Sequence, residues 1–335
     1  MAQGTYTLLD LATRSGVGVS SLIEGVLTYA PELQVLPFFP KSGITYTTLT
    51  RTALPSGSFR KAGAGVPLTK SEWKRETGSM MIFDAQRQIN EDIVIAAKSE
   101  NAELATGDIL TDEASATMEG SMINISSQIW YGTTIAADGF VGLSTQVDTA
   151  NNEVDGGGGS GADSSSVYLV YLDPNPVNPQ GVHGLLGNGG RMSMSPEWIK
   201  QQIVDPNNAA NRLMAFVNNF MSYLGLVVER PQAVYRIKNL TLASSAVGMS
   251  DAFGAQLLQK VPLKLRADLS KWRWFMNSQQ LYALQKSRAT VTVATGNNKG
   301  VASGGVFPDL PTSCQGIAIQ PSDSLITTER NALHQ

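Results

Sequence analysis

The chain has 335 residues, 42% of them hydrophobic, and carries 25 basic against 28 acidic side chains for a net charge of −3. That length exceeds one ordinary compact domain, so two or more lobes are expected, and the near-neutral balance argues against a protein whose main task is gripping phosphate backbone. The single cysteine, Cys314, rules out an internal disulfide, no apolar run approaches the roughly 18 residues that span a bilayer, and MAQGTYTLLD lacks a basic-then-apolar leader, so a product that stays in a reducing cytoplasm is expected.

Along the chain, Leu8 to Leu27 reads as two short helical pieces split by Ser15-Gly16-Val17-Gly18 and followed by Pro31, Pro37 and Pro40, an arm too fragmentary to be stable alone. Residues 44–52 alternate and are rich in Thr and Tyr, Pro55-Ser56-Gly57 turns, and residues 71–77 pair back, which predicts a long β-hairpin without enough apolar content to close a core. Between Arg51 and Arg75 the bases Arg51, Arg60, Lys61, Lys70, Lys74 and Arg75 face one acid, Glu72, a local charge of +5. From Glu76 to Gly120 the balance reverses to −8, over a stretch read as helical on the spacing of Ile89, Ile93, Ala97 and Leu104. Thr106-Gly107 is expected to interrupt it, and Leu110, Ala114, Met118, Met122, Ile125 and Ile129 to carry it on to Trp130-Tyr131-Gly132. A basic hairpin before an acidic helix suggests copies that complement one another head to tail; the plain alternative is two solvated faces. Exposed ion pairs contribute only about 0–1 kcal/mol each, so charge would set register and buried area would supply cohesion.

Phe140-Val141-Gly142-Leu143 is a short apolar patch, and residues 151–166 (NNEVDGGGGSGADSSS) read as a flexible linker between a helix-bearing and a sheet-bearing lobe. Val167 to Leu172 are apolar on both alternating faces, which predicts a central strand covered on both sides, with GVHGLL (181–186) as its hairpin partner. Leu224 to Val228 and Val234 to Ile237 are two more strands, broken by Glu229-Arg230-Pro231. Next come a helix after Asp251 that ends or kinks at Pro262, a strand at 271–276, a helix capped by Asn277 or Ser278 with Leu281 and Leu284 inward, a loop at 296–305, and two short strands around Pro321-Ser322-Asp323 that return to the first lobe.

Catalytic groupings are missing from the pattern. His183 and His334 are the only histidines, and His183 reads as a strand residue with a satisfied ring. Residues 156–161 lack the spacing of a nucleophile elbow, and Gly187-Asn188-Gly189-Gly190 lacks the Lys-Ser/Thr of a phosphate loop. Cys314 reads as a buried small hydrophobe, Met80, Met81, Met118 and Met122 as packing on helical positions, and Trp272 and Trp274 as core rather than a base-stacking platform. No catalysis, cofactor or metal is expected.

The glycine-rich lead-in, SVYLV, GVHGLL and LGLVVERPQAVYRIKNL resemble one region of the major capsid proteins of tailed bacteriophages. APELQVLPFF, RTALPSGSFRKAGAGVPLTKS, IWYG with GFVGL, FMNSQQLYALQ and GIAIQPSDSLITTE resemble the same family in the same order, from about Leu8 to Glu329. The resemblance implies the α+β Hong Kong 97-type capsid fold: an N-terminal arm (1–40), an extended loop (41–79), a peripheral domain with a long spine helix (80–150 with 312–335) and an axial domain with a central mixed sheet (151–311). In that fold the loop lies across the neighbouring subunit's peripheral domain, so the six hairpin bases would meet Glu91, Asp92, Glu100 and Glu103 of the next copy. The implied function is a shell of pentamers and hexamers, built in the host cytoplasm and enclosing double-stranded DNA without sequence specificity. Its implied partners are a portal protein, possible decoration proteins and, because fewer than about 45 residues precede the hairpin, a separate scaffolding protein. Lys61 or Lys70 is not read as a crosslinking residue. The rival readings are an encapsulin-type compartment shell and a β-rich phage tail or receptor-binding protein.

Overall fold

A computed structural model describes residues 28, 30–100, 106–158, 164–177, 179–190, 193–194, 198–205, 208–241, 248–288 and 309–329. The expected arm helices before Leu27 and the loop at 296–305 lie outside these residues. The described part of the arm holds one helical turn, α1 (Glu32–Val35), and the short strand β1 (Phe38–Pro40). The predicted hairpin follows: β2 (Thr45–Ala53) runs antiparallel to β3 (Glu72–Ser79), in register from Thr45 opposite Ser79 to Ala53 opposite Glu72, with a bulge beside Arg51.

The first departure from the sequence reading lies immediately after it. Residues 76–90, expected to be helical, are the end of β3 and a ten-residue strand, β4 (Met81–Asn90). MIFDAQRQIN contains good helix formers, but its burial alternates: Met81, Phe83 and Ala85 turn inward, whereas Ile82, Asp84 and Gln86 are exposed. A continuous antiparallel ladder with residues 215–224 then outweighs a propensity worth only tenths of a kcal/mol per residue. Helix begins at Glu91 with α2 (Glu91–Glu100), where Glu91 and Asp92 sit favourably at the positive end of the helix dipole. The long helix α3 (Thr106–Tyr131) spans 26 residues, about 39 Å at 1.5 Å per residue. Gly107 is therefore inside α3 rather than a break, and residues 101–105 lie outside the described residues. Of the methionines assigned to helical packing, Met80 and Met81 belong to the strand region, and Met122 on α3 is exposed.

Helix α3 stops where expected. Gly132 takes φ +56°, and a Cβ there would lie 2.0 Å from the Gly142 nitrogen, so only glycine lets these two backbones cross. After the crossing come the single turn α4 (Leu143–Gln146) and β5 (Glu153–Asp155). β5 corrects the linker reading, because it is an edge strand lying parallel to residues 236–238. Its Glu153 is nearly buried and accepts from Arg236 Nε at 2.7 Å and Lys238 Nζ at 2.8 Å, while Lys260 Nζ donates to its carbonyl at 2.7 Å. At the far end of the segment Ser164, Ser165 and Ser166 are buried. The stretch is thus fastened into the sheet on both sides of residues 159–163, which lie outside the described set.

β6 (Ser165–Tyr171) is the predicted central strand, with all seven residues buried. β7 (Val182–Leu186) is not its hairpin partner: apart from one bridge between Leu172 and Val182, it belongs to a different sheet. That sheet also takes β8 (Ser193–Met194), β9 (Ile199–Asp205) and the 21-residue β10 (Asn208–Val228), in the order β1-β7-β10-β4 with β8 and β9 on β10. The predicted break at Glu229-Arg230-Pro231 is real, and it marks the crossing from this sheet to the other. There β11 (Val234–Leu240) pairs with β6.

The second sheet is completed by α5 (Asp251–Lys260), α6 (Leu263–Arg266), β12 (Trp272–Met276), α7 (Ser278–Ser287), β13 (Ser313–Cys314) and β14 (Ile317–Pro321), with strand order β13-β14-β12-β6-β11-β5. It is mixed, because β12 with β14 and β11 with β5 are parallel. Pro262 follows the end of α5, and the Asn277 side chain accepts from Gln280 N as the cap of α7, both as expected. The C-terminal strands differ: they flank Gln315-Gly316 rather than Pro321, and β14 joins this sheet, while residues 322–329 alone run back to α3. Trp272 and Trp274 are fully buried, their indoles donating to the Leu265 and Cys314 carbonyls at 3.1 Å. Cys314 is buried as well, and burial pushes its thiol up to about 12. One apolar cluster joins residues 125–131 of α3 to β6, β11, β12, α5 and α7, so the long helix and the mixed sheet share a core.

His183, in β7, packs with its ring centroid 5.2 Å from that of Phe39 and tilted by 50°, its Nε2 lies 3.7 Å from Glu229, and its buried Nδ1 has no hydrogen-bond partner among the described residues, so the ring is less satisfied than expected. Burial pushes its pKa down to about 4, with Lys41 adding to the shift and the Gly181 carbonyl and Asp173 opposing it. The unfolded chain, titrating near 6.5, takes the proton first. Its stabilisation is therefore full above pH 6.5 and is lost as pH falls towards 4, a difference of about 3 kcal/mol. Urea unfolding of wild type and His183→Gln at pH 7 and pH 4.5 checks this: the wild type is expected to lose more stability on acidification than the variant, and parallel losses would contradict it.

Candidate assembly interface

The hairpin is exposed over most of its length. Its arms alternate Thr and Tyr with charged residues, and every residue from Leu54 to Lys70 at the tip is exposed. Within the tip, Arg60 Nη1 donates to the Ala64 carbonyl at 2.8 Å and Thr69 Oγ1 to the Ser56 carbonyl at 3.1 Å, contacts that shape the loop without supporting it. Arg51, Arg60, Lys61, Lys70, Lys74 and Arg75 are all exposed, and the Arg51 guanidinium lies 4.3 Å from the Trp73 ring centroid. The pattern of bases was legible in the sequence. The apolar side chains among them were not: Leu54, Phe59, Val66, Leu68 and Trp73 are exposed on the same hairpin. A run of large apolar residues in a Gly/Pro-rich loop was the available signal.

On the acidic side, Asp92 is exposed and Glu91 is ion-paired with Lys200 of β9 in its own chain, so Glu91 is already answered. The Glu100 side chain and Glu103 lie outside the described residues. Ile93 and Val94 bury the inner face of α2, and Ile89, Val94 and Leu110 form a small apolar cluster with Trp198 and Phe216. Arg87 reaches from β4 to the Glu113 carbonyl and, at 3.3 Å, to that of Ala114, tying the strand to α3. Along α3, burial is concentrated from Ser121 to Tyr131, whereas Thr111, Ser115, Ala116, Glu119 and Gly120 are exposed. Exposure along the described side chains of α3 is thus confined mainly to positions between Thr111 and Gly120, and the last eleven residues anchor the helix.

That anchor is a feature the sequence reading missed. Trp130 packs 5.0 Å from Tyr168 and 5.1 Å from Phe275, and its Nε1 donates to Glu32 Oε1 at 2.7 Å. Ser322 donates to the same oxygen. The Tyr131 hydroxyl donates to Glu329 Oε1 at 3.0 Å and accepts from Ile326 N at 3.0 Å, while Ser166 donates to Glu329 Oε2. Burial pushes both carboxyls, Glu32 and Glu329, above the usual range, against the pull of these donors. Segments from both ends of the described chain are thereby clipped to the last turn of α3. No spacing rule places Glu32 and Glu329 beside residues about 100 and 200 positions away.

Among the described residues no group of three or more His, Cys, Asp or Glu is placed to hold a metal, and no helix is long and apolar enough to cross a membrane. No curated protein matches the chain. Among solved structures, a chain of bacteriophage Epsilon15 aligns with TM-score 0.69 and 17% identity, covering 98% of this chain and 97% of that one. A capsid chain of a native GTA particle is covered to 94% by 67% of this chain, with TM-score 0.43 and 13% identity, and a chain of Mycobacterium phage Adephagia to 98% by 70%, with TM-score 0.46 and 12% identity. The α+β fold is that of the Hong Kong 97-type phage capsid proteins. The model of the family described as Major capsid protein GP7 matches residues 37–332. This chain therefore belongs to that family and is a major capsid protein of a phage shell.

Proposed function

We propose that copies of this chain associate as pentamers and hexamers, each laying its hairpin on the α2–α3 face of the next. Arg51, Lys70, Lys74 and Arg75 then lie opposite the exposed Asp92 and Glu119, with Glu100 and Glu103 of the same acidic stretch counted among their partners, while Arg60 and Lys61 at the tip reach past this face. The observation that carries this reading is the tip itself, whose residues from Leu54 to Lys70 are all exposed despite four large apolar side chains. A two-stranded ribbon is marginal in water without a supporting surface, and a second copy supplies one. The arm, extended loop, peripheral and axial divisions follow the boundaries 1–40, 41–79, 80–150 with 312–335, and 151–311. Assembly takes place in the host cytoplasm with a separate scaffolding protein and a portal, decoration proteins bind outside where present, and the net charge of −3 suits loose, sequence-independent contact with packaged double-stranded DNA.

Charge reversal tests the register. Lys70→Glu with Arg75→Glu is expected to abolish closed particles under conditions where the parent chain forms them, to leave the melting temperature of the unassembled subunit unchanged, and to be partly rescued by Asp92→Lys. Normal particles from the double variant would contradict the placement.

A further inference from the structure

A cavity of about 290 Å³ opens at the edge of β4 that carries no strand partner among the described residues. Its walls are Met81, Phe83, Ile125, Phe140 and Leu224, with Ile135 at the mouth, and its surface is mostly apolar. Ile82 and Ile135 stand exposed beside it, so the cavity continues into an apolar strip that the described residues leave uncovered. The acids near it are Asp138, which lines it, and Asp84, exposed two residues along β4 from Ile82. The floor is rigid: Gln128 Nε2 donates to the Phe140 carbonyl at 2.8 Å, and β4 is held by its ten-residue ladder to β10.

The chain also carries the complement of this feature. At the hairpin tip Phe59 is fully exposed, and Arg60 and Lys61 follow it directly. An aromatic ring next to two bases matches an apolar hole flanked by two acids in both shape class and charge. We infer that this cavity is the socket for Phe59 of a second copy, with Arg60 and Lys61 of that copy beside Asp138 and Asp84. The inference rests on the reading of the hairpin as an intersubunit arm and adds the anchoring contact. Burying a ring gives the contact cohesion that exposed ion pairs lack.

A photo-crosslinking p-benzoylphenylalanine at position 59, in assembled particles, tests it. The expected result is chain-to-chain crosslinks whose peptides map to residues 81–83 and 124–140. Crosslinks that map elsewhere, or none in well-formed particles, would overturn the socket while leaving the shell reading intact; no particles from the unsubstituted chain under any condition would count against the shell reading itself. Phe59→Ala supplies a second readout, because Phe59 supports nothing in its own chain: particles are expected to melt at a lower temperature than wild type, with the unassembled subunit unchanged. Equal heat resistance of the particles would also overturn the socket.

Discussion

Replacing the hairpin tip, residues 54–71, with a two-residue Asn-Gly turn is expected to give a subunit that folds as well as the parent and forms no shells. Ala53 lies opposite Glu72 in the β2–β3 ladder, so a tight turn can close the shortened hairpin there. The deleted side chains are exposed throughout residues 54–70, and the apolar clusters described for the core contain none of them. Removing an exposed loop also shortens a closure that costs entropy, so the subunit's stability should stay level or rise slightly. What disappears is the tip with Phe59, Leu68, Arg60, Lys61 and Lys70, most of the material for reaching a neighbour. Size-exclusion chromatography with light scattering separates the outcomes: subunits alone are expected, and particles of normal size would show that the tip is dispensable.

The largest loss of subunit stability is expected from Trp130→Ala. The substitution empties a site between Tyr168 and Phe275, at a cost of about 3–5 kcal/mol for a buried aromatic. It also removes the Nε1 donor from the buried Glu32 carboxylate, leaving Ser322 as the remaining donor to that oxygen and the burial less well compensated. Trp130→Phe divides the two effects: it keeps much of the ring packing, loses the donor, and is expected to cost about 1–3 kcal/mol. Burial raises the folded-state pKa of Glu32, so its proton is held more tightly folded than unfolded. That contribution is present below the usual carboxylate pKa and is lost as pH rises through the folded value. The penalty in either variant should therefore shrink in acid, where the carboxyl is neutral. Urea unfolding of the unassembled subunit at pH 7 and at pH 4 measures all three quantities, and a loss below about 1 kcal/mol in Trp130→Ala would contradict the anchoring role.

How much of this was legible in the sequence depended on whether the signal was local. β6 declared itself because six consecutive apolar residues leave no solvent face, and α7 because Asn277 stands one residue before a helical apolar stripe. β4 was misread because Ile89 and Ile93 are four apart and suggest one helix, although they lie on opposite sides of a strand-to-helix junction at Glu91. The choice was made by residues 215–224, more than a hundred positions away, which offered β4 a ladder. Of β10 only the end, Leu224 to Val228, was read as a strand; the rest escaped notice because Asn208–Val228 mixes Asn, Met and Ser with apolar residues and serves several different partners along its length. The segment taken for a linker was misjudged for a related reason: its glycines are local, but the bases Arg236, Lys238 and Lys260 that capture Glu153 are not. Of the candidate interface, the charges were readable one by one. The capture of Glu91 by Lys200 and the socket beside β4 exist only after distant strands have been brought together.

The most direct test of the account is electron microscopy of the purified chain, expressed with and without candidate scaffolding partners. Closed shells, or rings of five and six copies, in which the hairpin of each subunit crosses α2 and α3 of the next, are the predicted result. A monomer or trimer that never assembles, or shells in which the hairpin folds back on its own subunit, would contradict it.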